Sequence, residues 1–145
     1  MNRLTERIKN QKGAALVEFA IVLPLLLVLV FGMIEFSIMF YDKAVITNAS
    51  REGARAGIVY SYPNRITEGE IEATVGNYVS DKLITFGATT PSAEEMTTVT
   101  GQCANAGDVV TVAVTFPYEF LVLPNFITTL TGSIDLSAVT IMRCE

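Results

Sequence analysis

An apolar run near the N-terminus constrains this chain more than any other feature of its sequence. The run occupies residues 14–34, reads AALVEFAIVLPLLLVLVFGMI and carries a single charge, Glu18. A helix of this length measures about 31 Å, which matches the roughly 30 Å hydrocarbon core of a bilayer. Pro24 lies inside the run, and such a proline is tolerated in membrane helices because neighbouring groups satisfy the freed carbonyl. We therefore predict a single transmembrane helix over residues 14–34.

The charge around this run is uneven, and it predicts the orientation of the chain. Residues 1–12 are basic through Arg3, Arg7, Lys9 and Lys12, whereas the whole chain has a net charge of -5. Basic residues stay on the cytoplasmic side, so we place the N-terminus in the cytoplasm and the rest beyond the cytoplasmic (inner) membrane. A nucleic-acid-binding domain needs basic residues where this chain is acidic, so nucleic acid is excluded as a partner.

The composition also argues against catalysis and metal binding. The chain contains no histidine, and its two cysteines cannot form a zinc site alone. The sequence shows neither a glycine-rich phosphate loop nor a nucleophile motif. We expect a protein that is not an enzyme, with no catalytic residues, cofactor, metal or small-molecule substrate.

The junction before the apolar run resembles the processing site of type IV prepilin-like proteins. A basic leader, residues 1–13, ends in Gly13, and Ala14, Glu18 and Phe19 follow at that family's spacing. The resemblance implies that a prepilin peptidase cuts after Gly13. Glu18 lies one helical turn from the new amino group, where it is available to pair with a cation of a neighbouring subunit. The alternatives are an interfacial carboxylate at Glu18 and, for the whole segment, a plain signal anchor.

Helical periodicity continues beyond the membrane. Small or apolar residues recur in steps of three and four, at Ile46, Ala49, Gly53, Ala56 and Tyr60. This spacing predicts one helix over residues 14–59, with an extracytoplasmic extension at 35–60.

Residues 12–57 resemble the TadE-like domain of the tight-adherence (Tad, or Flp) pilus system. The pieces that carry the resemblance are Gly13-Ala14-Ala15, Glu18-Phe19-Ala20, Leu23-Pro24-Leu25, Glu35-Phe36, Asn48-Ala49 and Arg51-Glu52-Gly53-Ala54-Arg55. The resemblance implies a minor pilin or pseudopilin that assembles with other pilins and the pilus machinery for surface adherence. Phe19 replaces the tyrosine expected in the major subunit, which favours a minor component. The other interpretation is a signal-anchored protein with an extracytoplasmic binding domain and no pilus role.

The second half of the predicted stem helix carries small side chains that leave it thin. We assign stem packing to Pro24, Arg51, Gly53 and Arg55, with the two arginines one turn apart. Small residues around Gly53 permit close approach either by another subunit or by the chain's own sheet. Both interpretations are open at the level of the sequence.

Residues 61–145 predict a small α+β domain packed on the stem. A helix is expected over 68–86, with Thr67 and Glu70 as its capping box. Alternating residues predict strands at 110–116, 118–123 and 133–143, in an antiparallel sheet of three or four strands. The stretch 116–126 is more hydrophobic than such a sheet requires, so we expect part of it to contact another subunit.

Cys103 and Cys144 flank two of the predicted strands. In an antiparallel sheet the start of one strand lies beside the end of its neighbour, so the two sulfurs are expected to meet. An oxidising compartment favours an intramolecular disulfide. The competing interpretations are an intersubunit bridge and two free thiols.

Overall fold

The computed structural model describes residues 2–59, 66–85, 89–120 and 133–144, and side chains from residue 13 onward. A long N-terminal helix packs on two shorter helices and a three-stranded antiparallel sheet, which is the α+β fold that the sequence predicts. The elements are α1 (Asn2–Ile58), α2 (Glu68–Val79), α3 (Ala93–Met96), β1 (Thr97–Thr100), β2 (Val109–Tyr118) and β3 (Ile134–Arg143).

The first helix is longer than the sequence pattern indicates. It begins at Asn2 rather than at Ala14 and ends at Ile58. The leader NRLTERIKNQK contains mainly good helix formers and no proline, so nothing in it stops the helix. Gly13 costs about 1 kcal/mol relative to alanine, too little to end a helix that is favoured on both sides.

The second helix has the predicted start and an earlier end. The backbone N–H and the hydroxyl of Thr67 both donate to Glu70 Oε2, at 2.8 and 3.0 Å. The helix stops at Val79 instead of continuing to 86, because Ser80 and Asp81 are poor helix formers and favour turns. The N–H groups of Lys82 and Leu83 then bond to the Val79 carbonyl and close the turn.

The sheet has the order β1-β2-β3, with β2 in the centre. The register pairs Tyr118 with Ile134 at one end of β2 and β3, and Val109 with Arg143 at the other. The prediction of a strand end at Pro117 is wrong. β1 pairs only with residues 111–114, so β2 has a single neighbour at Pro117, where a missing N–H is tolerated.

Two further strand predictions differ from the structure. Of the candidate strand at 118–123, Tyr118 belongs to β2, and residues 121–132 lie outside the described part of the chain. In the stretch 116–126, Phe116 and Tyr118 are buried in the core. The sequence analysis missed β1, whose four residues follow directly on the short helix α3.

The core lies between the inner face of α1 and one face of the sheet. Alternate side chains of β2 are buried there: Val110, Val112, Val114, Phe116 and Tyr118. Each large apolar side chain contributes roughly 1.5–3 kcal/mol when fully buried. Gly53 of α1 faces this layer so closely that an added Cβ would lie 2.6 Å from Val75 Cγ2 and 3.4 Å from Val112 Cγ1. The small residues of α1 therefore contact the protein's own α2 and β2.

This close approach predicts the effect of filling the position of Gly53. Gly53→Leu should lower the free energy of unfolding by about 1–3 kcal/mol, because Val75 is buried and stiff and cannot move aside cheaply. Ala44→Leu, on the exposed side of the same helix, is the matched control and should have little effect. Thermal and denaturant unfolding of both variants would measure the difference, and equal stabilities would contradict the packing argument.

Candidate functional site

The apolar half of α1 lies outside the folded domain. From residue 13 to residue 34 its side chains are exposed, apart from the half-exposed Leu23 and Gly32. Leu16, Ile21 and Leu25, for example, are 69, 71 and 70% exposed. Within the described residues, one helix is long and apolar enough to cross a membrane, and it is this one. An apolar surface of this length is stable only against lipid or another protein.

The predicted processing and assembly residues lie on this free helix. Gly13 has open space around it, since an added Cβ would meet no atom within 4 Å. Ala14 and Glu18 are both exposed and lie one turn apart, and Phe19 is 61% exposed. All four are accessible to a peptidase or a neighbouring subunit. The peptide bond after Gly13 lies within α1, so a peptidase that binds extended chain must first unwind the helix there. Glycine is a weak helix former, so unwinding costs less at Gly13 than at its neighbours.

The four predicted stem-packing residues are not brought together. Pro24 is exposed on the apolar half, about 40 Å along the helix from Arg51. Arg51 and Arg55 are exposed on the outer side of α1, whereas Gly53 faces the core. Of the four, only Gly53 packs against the folded domain.

A buried polar cluster marks the point where α1 enters the domain. Glu35 is 2% exposed, and Tyr118 at the end of β2 donates its hydroxyl to Glu35 Oε1 at 2.5 Å. Asp42 is fully buried two turns further along the same face. Its Oδ1 accepts the backbone N–H of Ile84 at 3.0 Å, and among the described residues its Oδ2 has no hydrogen-bond partner.

The sequence analysis missed this cluster, although a signal for it exists. Glu35 and Asp42 are seven residues apart and lie on the inner stripe that continues to Ala49, so helical periodicity places both in the core. The sequence analysis named Glu35 only within the family resemblance and made no prediction for Asp42; carboxylates are seldom fully buried.

Burial changes the acidity of two groups in the cluster. Burial raises the pKa of Asp42 above its ordinary value, and the N–H of Ile84 offsets only part of this effect. The pKa of Tyr118 is raised well above its usual range, first by burial and then by its hydrogen bond to Glu35 and the nearby carboxylates. Tyr118 is therefore a neutral hydrogen-bond donor that ties the sheet to the helix.

A disulfide between Cys103 and Cys144 fastens the opposite end of the sheet. This is the intramolecular pairing that the sequence predicts. Cys144 N–H also donates to the Asp108 carbonyl at 2.8 Å, and Gly107 N–H donates to the Cys144 carbonyl at 2.9 Å. By the chain-entropy model, closing a loop of this length stabilises the fold by about 4 kcal/mol. The bridge is thus a large contribution for a small domain.

The described residues contain no group of three or more His, Cys, Asp or Glu side chains placed to hold a metal ion. In the described part of the chain, the polar cluster of Glu35, Asp42 and Tyr118 affects the stability of the fold through its hydrogen bonds and its buried charge.

The buried carboxylate of Asp42 predicts a pH dependence of stability. A folded-state pKa above the unfolded one favours folding at low pH, and this contribution is lost as the pH rises through the folded pKa. Each pH unit between the two values is worth about 1.4 kcal/mol. Asp42→Asn keeps an oxygen for Ile84 without the charge, so its stability relative to the native protein should increase with pH. Unfolding curves from about pH 4 to pH 8 would measure this.

The exposed Asp81 provides the control for that measurement. The stability of Asp81→Asn should vary with pH as that of the native protein does, because Asp81 is solvated just beyond the end of α2. Parallel profiles for the native protein and Asp42→Asn would contradict the role assigned to the buried charge.

Comparison with known proteins gives one match. Residues 13–55 match the family model of TadE-like proteins. Neither the curated proteins nor the solved structures contain a match to this chain. The matched range begins at Gly13 and ends at Arg55, so it covers the exposed apolar helix, Glu35, Asp42 and the residues that face the core. Residues 13–55 are therefore a TadE-like segment, as the resemblance in the sequence predicts.

Proposed function

We propose that this chain is a minor pilin or pseudopilin that takes part in the assembly of a Tad (Flp) pilus for surface adherence. The observation that carries the proposal is that the TadE-like match includes an exposed apolar helix, at whose start Gly13, Ala14 and Glu18 lie accessible. A TadE-like segment suggests a role in Tad pilus systems. An accessible processing site and an uncovered helix are what such a role requires.

In this proposal the chain has four parts. Residues 1–13 form a leader that prepilin peptidase removes, and residues 14–34 cross the cytoplasmic membrane. Residues 35–60 form the stem within the extracytoplasmic domain, and residues 61–145 complete that domain. The basic leader supports a cytoplasmic N-terminus, and the Cys103–Cys144 disulfide supports an oxidising location for the domain.

The exposed apolar helix also supports the proposal that the partners of this chain are other pilins or pseudopilins. A helix that is apolar all around fits lipid before assembly and the stems of other pilins or pseudopilins afterwards. Glu18 is the carboxylate within this surface, and burying it among apolar stems requires a cation or a donor beside it. The amino group that cleavage creates at Ala14 of a neighbouring subunit supplies that charge.

The first test concerns cleavage after Gly13. Cells with an active prepilin peptidase should yield a chain that begins at Ala14, and cells without it should yield the full chain. Gly13→Leu should prevent cleavage, because a large side chain obstructs the peptidase and strengthens the helix that must unwind. Gly32→Leu, also in open space on the same helix, is the matched control and should be cleaved normally. Mass spectrometry of the N-terminus measures each case.

An uncut N-terminus in cells with an active peptidase would contradict this assignment. It would favour the alternative of a signal-anchored protein with an extracytoplasmic binding domain.

The second test concerns the charge at Glu18. Glu18→Gln keeps the size of the side chain and removes its charge, so cleavage and membrane insertion should persist while incorporation into pilus assemblies falls severalfold. Glu52→Gln alters an exposed carboxylate in the domain half of the same helix and should assemble normally. The amount of each variant in the pilus fraction, relative to the membrane fraction, measures its incorporation. Normal assembly of Glu18→Gln would make Glu18 only an interfacial carboxylate.

A further inference from the structure

The folded domain begins where the predicted membrane span ends, without a spacer. The span ends at Ile34, which is 43% exposed, and the next residue, Glu35, is 2% exposed and bonded to Tyr118. The end of the sheet that carries Tyr118 therefore lies beside the first residue outside the hydrocarbon core.

The contacts along α1 show that β3 runs away from this level nearly parallel to the helix. Lys43 donates to the carbonyl of Ser137, and Ser50 Oγ lies 2.7 Å from Thr140 Oγ1. From Glu35 to Lys43 the helix rises about 12 Å, and from Ile134 to Ser137 the strand rises about 10 Å. From Glu35 to Ser50 the helix rises about 22 Å, and from Ile134 to Thr140 the strand rises about 20 Å. Ile134 therefore lies at about the level of Glu35.

Apolar side chains that are exposed or half-buried lie near this level, on α1 and at the end of the sheet. We call five of them the membrane-proximal collar: Phe36, Phe40 and Tyr41 on α1, and Phe120 and Ile134 at the end of the sheet. The three on the helix are 57, 67 and 47% exposed, and Ile134 is 39% exposed. The half-buried Phe120 ring meets Tyr118 edge-on, with ring centroids 6.1 Å apart.

The height of the collar matches the interfacial layer of a bilayer. That layer adds about 5–8 Å on each side of the hydrocarbon core. Phe36 lies about 3 Å beyond Ile34, within this layer. Phe40 lies about 9 Å beyond Ile34, just outside the layer by backbone rise, but side chains on a helix tilt toward its N-terminus, which brings the Phe40 ring toward the membrane. Aromatic side chains are enriched at this depth.

We propose that, before assembly, the domain rests on the bilayer surface through this collar, with the interfacial lipid layer as its partner. The proposal rests on the proposed membrane insertion of residues 14–34. The exposed carboxylates Glu119 and Asp135 adjoin the collar, so the contact is apolar and aromatic rather than an attraction to anionic lipid. At headgroup depth these carboxylates stay solvated.

The absence of tryptophan from the chain makes a direct test possible. Single reporters are placed at two sites of equal exposure at opposite ends of the sheet: Ile134→Trp (39% exposed) and Val109→Trp (41%). Val109 pairs with Arg143, which lies about 30 Å along β3 from Ile134. The full chain is reconstituted in phosphatidylcholine vesicles, with or without bromine near the carboxyl end of the acyl chains.

The proposal predicts that brominated lipid removes most of the emission of Ile134→Trp and little of that of Val109→Trp. Adding anionic phosphatidylglycerol should not increase the quenching. Phe40→Ser in the Ile134→Trp background should reduce the quenching severalfold, whereas Asn48→Ser, further from the membrane on the same exposed side, should not. A cooperative thermal unfolding transition in every variant, as in the native protein, establishes that the domain is folded.

A third reporter separates this proposal from the proposed function. Val28→Trp, in the middle of the apolar run, must be quenched if residues 14–34 span the bilayer. Strong quenching of Val28→Trp with none of Ile134→Trp would overturn the docking and leave the anchor intact. Equal quenching of Ile134→Trp and Val109→Trp would also overturn it, and no quenching of Val28→Trp would overturn the membrane insertion itself.

Discussion

The fold depends on the packing of residues 35–58 of α1 against α2 and the sheet. The closest approach is at Gly53, where no side chain fits between the helix and Val75. Around it, Ile46 and Ala49 are fully buried. Since α2, β2 and β3 all contact this part of α1, the helix is the central element of the domain and not an appendage to it. The same continuous helix then extends outside the domain as an apolar surface.

Two cross-links of different chemistry hold the sheet on this helix. At the end of the sheet far from the apolar half of α1, the Cys103–Cys144 bridge joins the approach to β2 with the end of β3. At the proximal end the Tyr118 hydroxyl binds Glu35, so a hydrogen bond connects the last residue of β2 to the helix. A hydrogen bond to a charged group contributes about 1.5–3 kcal/mol, and leaving a buried carboxylate without it costs at least as much. The proximal contact is therefore specific but weaker than the covalent one.

Much of this arrangement was predictable from the sequence. The apolar run, the helical stripe through Ala49 and Gly53, the capping box at Thr67 and the alternation in β2 each reflect a single local periodicity. The errors came where local preference and tertiary contacts differ. Pro117 continues a strand because β1 is too short to reach it, and the sequence does not show the length of β1. Glu35 and Asp42 were missed because the energy that makes their burial possible comes from Tyr118 and Ile84, which are distant in sequence.

The position of Glu35 explains why a buried polar group belongs at this point of the fold. A carboxylate next to the hydrocarbon core is costly unless water or a donor satisfies it. With residues 14–34 in a bilayer, as proposed, the domain encloses Glu35 and gives it the Tyr118 hydroxyl, which shields the carboxylate from lipid as long as the sheet is in place. If the sheet moves away, Glu35 loses the hydrogen bond that Tyr118 donates. Under the proposed insertion of residues 14–34, the Tyr118–Glu35 hydrogen bond links folding of the domain to the depth of the helix in the bilayer. Its helix end lies inside the TadE-like segment, and its sheet end, Tyr118, lies outside that segment.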